Sequence, residues 1–304
     1  MASVLARIQA LVAAAEPPSD KAEPTSDGGK PEAGHKAEPE ARPSTGDRAR
    51  SEEWIGTQPV RRQELDKLVG QRMGDLRRLS RLHPASKVLQ QAEWDCGLAC
   101  VCMVLRAFGR ATTTVAQLEQ QAQTQSVWTV DLAFLLHRNV PQADFTYYTT
   151  CAGINPAHAS SQFYSDALDV DQRRVASLFA AARIQQAVRV VELAMPLLDL
   201  QRFLVHRHYV AIMLVDAAAL RCICCAPRQR PRRMRAWLAR WRHGGACFAG
   251  HYIMLIDYIP SLDLFVYRDP AITDEFCLAT ARTIDTARAH PGTDADCIIV
   301  KVSP

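Results

Sequence analysis

The sequence lacks the features of a membrane span, of a disulfide-stapled scaffold and of a repeat protein. No stretch approaches the run of roughly 18 to 20 apolar residues that a membrane-spanning helix needs, which excludes such a span. None of the 10 cysteines lies in the first 95 residues, and several later ones are adjacent, unlike the spaced pairs of a small secreted domain. No period of about 20 to 50 residues recurs, which excludes a solenoid.

Acidic residues are missing from one internal stretch. Between Ala217 and Gly250 there is no Asp or Glu, whereas eight arginines lie from Arg221 to Arg242, so this stretch is the main source of the positive net charge of +4. We interpret residues 221–250 as a basic insertion whose electric field favours an anionic substrate. A solvated basic surface is the alternative, and a nucleic-acid partner remains open.

Composition divides the chain into three parts. Residues 16–53 are rich in Pro, Glu, Ala, Ser, Gly and Lys and almost free of large apolar side chains, which predicts disorder, and residues 1–53 are assigned to a disordered low-complexity tail. Residues 54–87 carry eight basic and three acidic residues and an apolar stripe at helical spacing. They are predicted to form a basic helical segment that docks on the next part of the chain, or else an arm for an acidic partner. Residues 88–304 are predicted to form one folded domain.

The cysteines are interpreted as reduced thiols of a cytoplasmic protein. Arg7 and Gln9 interrupt what would be the apolar core of a signal peptide, so the first 15 residues are predicted to form a short amphipathic helix instead. An organelle transit peptide stays open.

Helical patterns come before strand patterns within residues 88–304. Helices are expected over residues 97–108, 131–137, 169–187, 196–206 and 280–289. The third of these is expected to turn Val170, Val175 and Phe179 inward. Strands are expected over residues 88–89, 188–192, 209–215, 252–259, 263–267 and 297–302. This order predicts an α+β domain with helices packed on a largely antiparallel sheet.

The sharpest local pattern surrounds Cys96. The run Asp95-Cys96-Gly97-Leu98-Ala99 puts a thiol at the N-terminus of a buried helix, where the helix dipole and free amide groups favour the thiolate. Since the thiolate is the form that attacks a carbonyl carbon, Cys96 is a candidate nucleophile. The alternative is a small thiol of the core.

Such a nucleophile needs a base, and the base needs a partner that orients it. His251 opens a strand directly after Gly250, and Asp269 ends the next strand, so a hairpin would bring them to one edge of the sheet. Gln90, six residues before Cys96, is a candidate hydrogen-bond donor to an oxyanion. Gln91 is the competing assignment.

Several blocks, occurring in one order, resemble two groups of proteins. The blocks around Gln90, Cys96, His251 and Asp269 resemble the papain-like peptidases that process bacteriocin leaders. Together with Val127–Leu135 and Pro291–Asp296, they resemble more closely the eukaryotic guanylyl cyclase domain-containing protein family, over about residues 88–300. The resemblance implies a papain-like fold with a catalytic set and a substrate-contacting set. The catalytic set is Cys96, His251, Asp269 and Gln90, and the substrate-contacting set is Trp94, Asp95, Gly97 and Gly250.

The resemblance implies two different functions. The matched residues imply a cysteine hydrolase that cleaves a peptide or similar acyl bond in a peptide or small-molecule substrate, with no cofactor. The family name implies conversion of GTP to cyclic GMP, a reaction that typically uses Mg²⁺ or Mn²⁺ held by paired carboxylates. No compact carboxylate pair or glycine-rich phosphate loop stands out in the sequence. The cyclase is therefore the alternative, and a non-catalytic binding module on the same fold is a third hypothesis.

The basic insertion also contains soft metal ligands. Cys222, Cys224 and Cys225, with His243 and Cys247 further on, are side chains of the kind that hold structural zinc. Because Cys224 and Cys225 are adjacent and fit poorly around one ion, no metal is predicted.

Overall fold

The structure, a computed structural model, describes residues 53–55, 58–60, 62–160, 168–225 and 248–302. Nearly all of the predicted tail and residues 226–247 of the basic insertion lie outside the described residues. The predictions for these two segments therefore stay predictions.

Nine β-strands and seven α-helices follow one another within the described residues. The N-terminal part contains β1 (Glu53–Ile55), β2 (Gln58–Val60), α1 (Arg62–Leu82), α2 (Cys96–Ala107), α3 (Val115–Ala122), α4 (Thr129–Asn139), β3 (Phe145–Thr149) and α5 (Leu168–Gln185). The C-terminal part contains β4 (Arg189–Glu192), α6 (Leu197–Val205), β5 (Tyr209–Asp216), β6 (Gly250–Ile259), β7 (Leu264–Arg268), β8 (Cys277–Thr280), α7 (Ala281–Arg288) and β9 (Cys297–Lys301). Among these helices, none combines the length and the apolar surface that crossing a lipid bilayer would demand.

Seven of the strands form one sheet, in the order β4-β3-β9-β5-β6-β7-β8. The neighbouring strands are antiparallel except for β3 and β4, which are parallel. The α+β class and the largely antiparallel sheet are therefore confirmed. The papain-like assignment stays a prediction.

Helices cover both faces of this sheet. In β5, Ile212 belongs to the same buried cluster as α2 and α4, whereas its neighbour Met213 belongs to the cluster that contains α6 and α7. Successive side chains of a strand point to opposite faces, so a strand between two helical layers has no position that faces water. This is why β5 is an almost unbroken apolar run in the sequence.

Helix α1 is attached to the domain by apolar and polar contacts. Val69 and Leu76 are buried in the same cluster as α2. Arg268, the last residue of β7, is fully buried and donates from Nη2 to the carbonyl oxygen of Ser80 at 2.7 Å. The C-terminal end of α1 is thus fixed next to the end of β7.

The basic helical segment predicted over residues 54–87 is helical over Arg62–Leu82. Apart from this and the differences that follow, the bounds of the predicted helices and strands agree within two residues. Residues 88–89 form no strand, and Leu89 is 45% exposed because this segment runs along the surface. Val170 is 79% exposed rather than inward, whereas Val175 and Phe179 are buried as predicted. The elements β3, β8 and α3, and the β1–β2 hairpin, were not predicted.

Gly292 provides a test of the packing beside β9. A Cβ atom at position 292 would lie 2.6 Å from Cγ and Cδ1 of the Phe248 ring, which itself stacks on His290 with the ring centroids 5.0 Å apart. We expect Gly292→Ala to lower the free energy of unfolding by about 1 to 3 kcal/mol, because a stacked ring must move. Urea unfolding measures the change, with Gly153→Ala as control, where a Cβ would meet nothing within 4 Å. Equal effects of the two substitutions would contradict this prediction.

Candidate active site

Cys96 is the first residue of α2, and it is 5% exposed. Its neighbour Asp95 does not cap the helix; its carboxylate accepts hydrogen bonds from the backbone N–H groups of Gln91 and Ala92, at distances from 3.0 to 3.2 Å. Asp95 therefore holds the loop that leads into the helix, and burial raises the pKa of its carboxyl group. The positive end of the helix dipole lies at Cys96.

The hairpin of β6 and β7 brings His251 and Asp269 together. His251 is the second residue of β6, and Asp269 directly follows β7. The distance from His251 Nε2 to Asp269 Oδ1 is 2.8 Å, and the same oxygen accepts the backbone N–H of Ala271 at 2.9 Å. His251 is 4% exposed and Asp269 is 2% exposed, so this contact is almost entirely removed from solvent.

The two side chains stabilise each other's charged form. Burial alone would lower the pKa of His251, but the Asp269 carboxylate and the Cys96 sulfur raise it to about 10. Burial alone would raise the pKa of Asp269, but the charge of His251 and its hydrogen bond hold that pKa below the usual value. His251 and Asp269 therefore form an ion pair at neutral pH.

Cys96 completes the cluster. Its sulfur lies close enough to His251 to help raise the pKa of the imidazole, and its Sγ accepts the backbone N–H of Tyr252 at 3.5 Å. Because Nε2 of His251 faces Asp269, Nδ1 on the other side of the ring is the nitrogen left for Cys96. The structure thus brings together a thiol, an imidazole and a carboxylate, in the order that nucleophilic catalysis by a triad requires.

Gln90 lies near this cluster, but its side chain is engaged within its own loop. Its backbone N–H donates to the carbonyl oxygen of Pro270 at 3.0 Å, which joins the loop to the residue after Asp269. Its side-chain Nε2 donates to the carbonyl oxygen of Ala92 at 2.7 Å, while Oε1 is buried with no hydrogen-bond partner. Gln91, the competing assignment, is exposed. The oxyanion role of Gln90 stays a prediction.

The remaining residues of the substrate-contacting set have visible packing roles. A Cβ atom on Gly97 would lie 2.9 Å from Cδ1 of Leu132 and 3.0 Å from Cδ2 of Tyr252, so this glycine lets α2 lie close to α4 and β6. Trp94 is half-buried against the core, and Gly250 begins β6. It stays a prediction that Gly97, Trp94, Gly250 and Asp95 contact a substrate.

A buried polar network beside Tyr252 escaped the sequence analysis. The hydroxyl groups of Tyr252 and Thr129 lie 2.8 Å apart, and Thr129 and Thr149 lie close enough to Asp296 to offset part of the effect of burial on the pKa of its carboxyl group. Burial raises the pKa of Asp296 to about 7, and its Oδ1 has no hydrogen-bond partner. Asp296 is the last residue of the block Pro291–Asp296, which the family resemblance had already marked. The sequence contains no spacing that would relate this block to Cys96.

Several buried carboxylates are already bound to basic side chains. Asp131 and Asp171 both pair with Arg174, and Asp294 lies 2.6 Å from Nε2 of His158. In the part of the chain that the structure describes, the one group of three ligand side chains with their ligand atoms within 4.8 Å consists of thiols. Mg²⁺ and Mn²⁺ prefer oxygen ligands, so these residues do not fit either ion.

The fold and the site define an α+β protein with a buried Cys–His–Asp cluster at one edge of its sheet. The family model described as guanylylate cyclase matches residues 85–300, and the chain belongs to this family. The chain is also similar to guanylyl cyclase 1 of Arabidopsis thaliana, with 34% identity over 220 residues, which cover 71% of this chain and 74% of that protein. The family drawn from the sequence blocks is therefore confirmed, and the matched region contains all three residues of the cluster.

Removal of the Asp269 charge tests the ion pair. The pKa of His251 is about 10 in the folded chain against 6.5 for a free histidine, so its stabilising contribution is complete below pH 6.5 and disappears as the pH rises towards 10. The pKa of Asp269 is lowered on folding, so its contribution is lost only in acid. We expect Asp269→Asn to lower the free energy of unfolding at neutral pH by about 3 kcal/mol. This is the lower end of the cost of removing one partner of a buried ion pair, because His251 can release its proton and become neutral.

Urea unfolding across this pH range gives the measurement. The wild-type chain should lose stability between pH 6.5 and 10, and the variant should show a flatter dependence. Asp199→Asn is the control, because Asp199 pairs at 3.0 Å with an exposed arginine and its loss should cost less than about 1 kcal/mol. The ion pair is refuted if Asp269→Asn keeps the alkaline loss of the wild type.

Proposed function

We propose that this member of the guanylylate cyclase family is a cysteine hydrolase that acts on a peptide or similar acyl bond. The observation that carries the proposal is the 2.8 Å contact between His251 and Asp269, with the Cys96 sulfur close enough to the same histidine to raise its pKa. A cysteine that only packs in the hydrophobic core needs no charged neighbour. Burying an imidazole and a carboxylate costs desolvation free energy, which favours a functional role for the pair.

In the proposed reaction, Cys96 is the nucleophile and His251 carries the proton. The thiolate attacks the acyl carbon, and the imidazolium gives its proton to the leaving amine or alcohol, which leaves a thioester on Cys96. A water molecule then attacks the thioester, His251 takes a proton from this water, and the carboxylic acid product departs as the thiolate is restored. Asp269 holds the imidazole ring in place and stabilises its charge throughout.

The surroundings of the cluster set the conditions for substrate entry. Gln90 is the proposed donor to the oxyanion, and for this its Nε2 must exchange the carbonyl oxygen of Ala92 for the substrate. Since Cys96 is almost buried, the half-buried loop that contains Trp94 must move aside when a substrate binds. An anionic peptide or small molecule is the proposed substrate class, drawn by the basic insertion, most of which lies outside the described residues.

Alkylation of the full chain by iodoacetamide tests Cys96 as the nucleophile. Peptide mass spectrometry should find Cys96 modified faster than the fully buried Cys100, with the label lost from position 96 in Cys96→Ala. His251→Ala should slow the modification by about 10²-fold, the lower end of what a positioned acid–base group contributes. Cys100→Ala, one helical turn further along α2, is the matched control and should leave the rate unchanged. An unchanged rate in His251→Ala would sink the proposal.

Conversion of GTP to cyclic GMP is the second candidate. It is favoured by the family membership and by the relative named guanylyl cyclase 1. The attacking group in that reaction is a hydroxyl of the substrate itself, and the Cys–His–Asp cluster provides no carboxylate pair for the metal ions that such reactions use. The cyclase is therefore placed second.

An assay with GTP and Mn²⁺ separates the two candidates. We expect the full wild-type chain to form no cyclic GMP above the level of a blank without protein, because the described carboxylates do not fit the metal. Cys96→Ala serves as the paired sample. Cyclic GMP formed at the same rate by the wild type and by Cys96→Ala would reassign the chain to the cyclase reaction.

A further inference from the structure

Four thiols lie together at the start of β8, away from Cys96 in the sequence. Cys222, Cys224 and Cys225 lie in the segment that comes after β5, and Cys277 is the first residue of β8. The backbone N–H of Ile223 donates to the carbonyl oxygen of Leu278 at 2.8 Å, so this segment runs along the outer edge of β8. All nine cysteines in the described residues are free thiols.

Three of these thiols have the spacing of metal ligands. The sulfur atoms of Cys222, Cys225 and Cys277 all lie within 4.8 Å of one another, and those of Cys225 and Cys277 are 3.3 Å apart. Zinc binds thiolate sulfur at about 2.3 Å in tetrahedral geometry, which places ligand sulfurs about 3.8 Å apart. A disulfide needs about 2.05 Å between its sulfur atoms. The trio thus has the separation of a coordination site.

The local backbone supports the same assignment. Cys222 and Cys225 have the Cys-x-x-Cys spacing that zinc sites use for two ligands from one turn. The backbone N–H of Cys225 donates to Sγ of Cys222 at 3.2 Å, a contact that stabilises negative charge on this sulfur. Lys87, whose Nζ donates to the carbonyl oxygen of Asp274, lies close enough to interact with the charge of Cys277. A positive charge there offsets the excess negative charge of three thiolates around a divalent ion.

Cys224 stands beside this trio. Its sulfur lies 3.5 Å from that of Cys222 but also approaches the carbonyl oxygen of Phe276 at 3.9 Å. Because Cys224 and Cys225 are adjacent, their sulfur atoms cannot both bind one ion without strain. Cys224 also lines a cavity of about 480 Å³ between α1 and the loop before β8.

We propose that Cys222, Cys225 and Cys277 bind one Zn²⁺ ion as thiolates, with Cys224 outside the ligand set. Each ligand thiol releases its proton to solvent as it binds, and water completes the tetrahedral coordination. The ion joins the segment after β5 to the start of β8. It thereby fixes the C-terminal end of the loop whose first residue is Asp269.

Metal analysis of the full chain, purified with a reductant and without chelators, tests the site. Plasma mass spectrometry should find about one zinc ion per wild-type chain, as for a single thiolate site. The content should fall at least tenfold in Cys222→Ser and Cys277→Ser. Cys224→Ser, the neighbouring thiol, and Cys151→Ser, a half-buried thiol elsewhere, are the controls and should keep the ion. Cys96→Ala should also keep it, which separates this site from the proposed active site.

Cobalt titration covers the case in which Cys277→Ser does not fold. Co²⁺ added to the metal-stripped wild-type chain should give the near-ultraviolet thiolate-to-cobalt absorption at one equivalent, and zinc should abolish it. The proposal is overturned if the wild type holds no zinc after incubation with one equivalent, or if it holds copper instead. It is equally overturned by a disulfide between Cys225 and Cys277 in chain alkylated before unfolding, or by loss of zinc in Cys224→Ser as complete as in Cys277→Ser.

Discussion

The ion pair between His251 and Asp269 is the interaction that organises the site. Two charged groups removed from water are stable only when both are fully hydrogen-bonded, so the surrounding chain must supply partners. Ala271 donates its backbone N–H to Asp269, and the sulfur of Cys96 lies close enough to His251 to help raise the pKa of its imidazole. The preceding residue, Arg268, is also buried and is bound by a carbonyl oxygen of α1. The end of β7 thus fixes the first helix, the loop after β7 and the thiol together.

The fold was predictable where buried apolar residues follow a regular pattern along one helix or strand. Long helices and apolar strands carry that signal, and their bounds agree with the structure. β8 has four residues and passes directly into α7, so it is too short to show a period. The burial of the five residues of β3 alternates strictly, but their sequence, Phe-Thr-Tyr-Tyr-Thr, shows this alternation only weakly. Helix α3 begins with a capping box of Thr114 and Gln117, which also stood in the sequence. Val88 and Leu89 are apolar and were predicted as a short strand, but they lie at the surface. Two apolar residues in a row look the same in the sequence in either case.

The site was predictable to the extent that hairpin geometry relates its residues. His251 and Asp269 lie at similar distances from one turn, and Cys96 begins a helix, so each position follows from a local rule. The position of Gln90 could be expected, but its hydrogen bond within the loop depends on packing. The contact of Cys225 with Cys277 joins residues 52 positions apart that share no element, and only the assembled sheet brings them together.

Both centres meet in one loop, residues 269–276, and this relates them physically. Asp269 opens the loop and Cys277 comes directly after it, while Gln90 and Lys87 bind two of its carbonyl oxygens. A loop that is already held at both ends loses less conformational entropy when its first residue orients a histidine. Ordering at Cys277 therefore acts on Asp269 through the backbone of the loop. The proposed acyl transfer requires the imidazole in one orientation, and the residue that orients it, Asp269, is the first residue of this loop. The loop lies within residues 85–300, which match the family model, so both proposed sites belong to the part of the chain that the family shares.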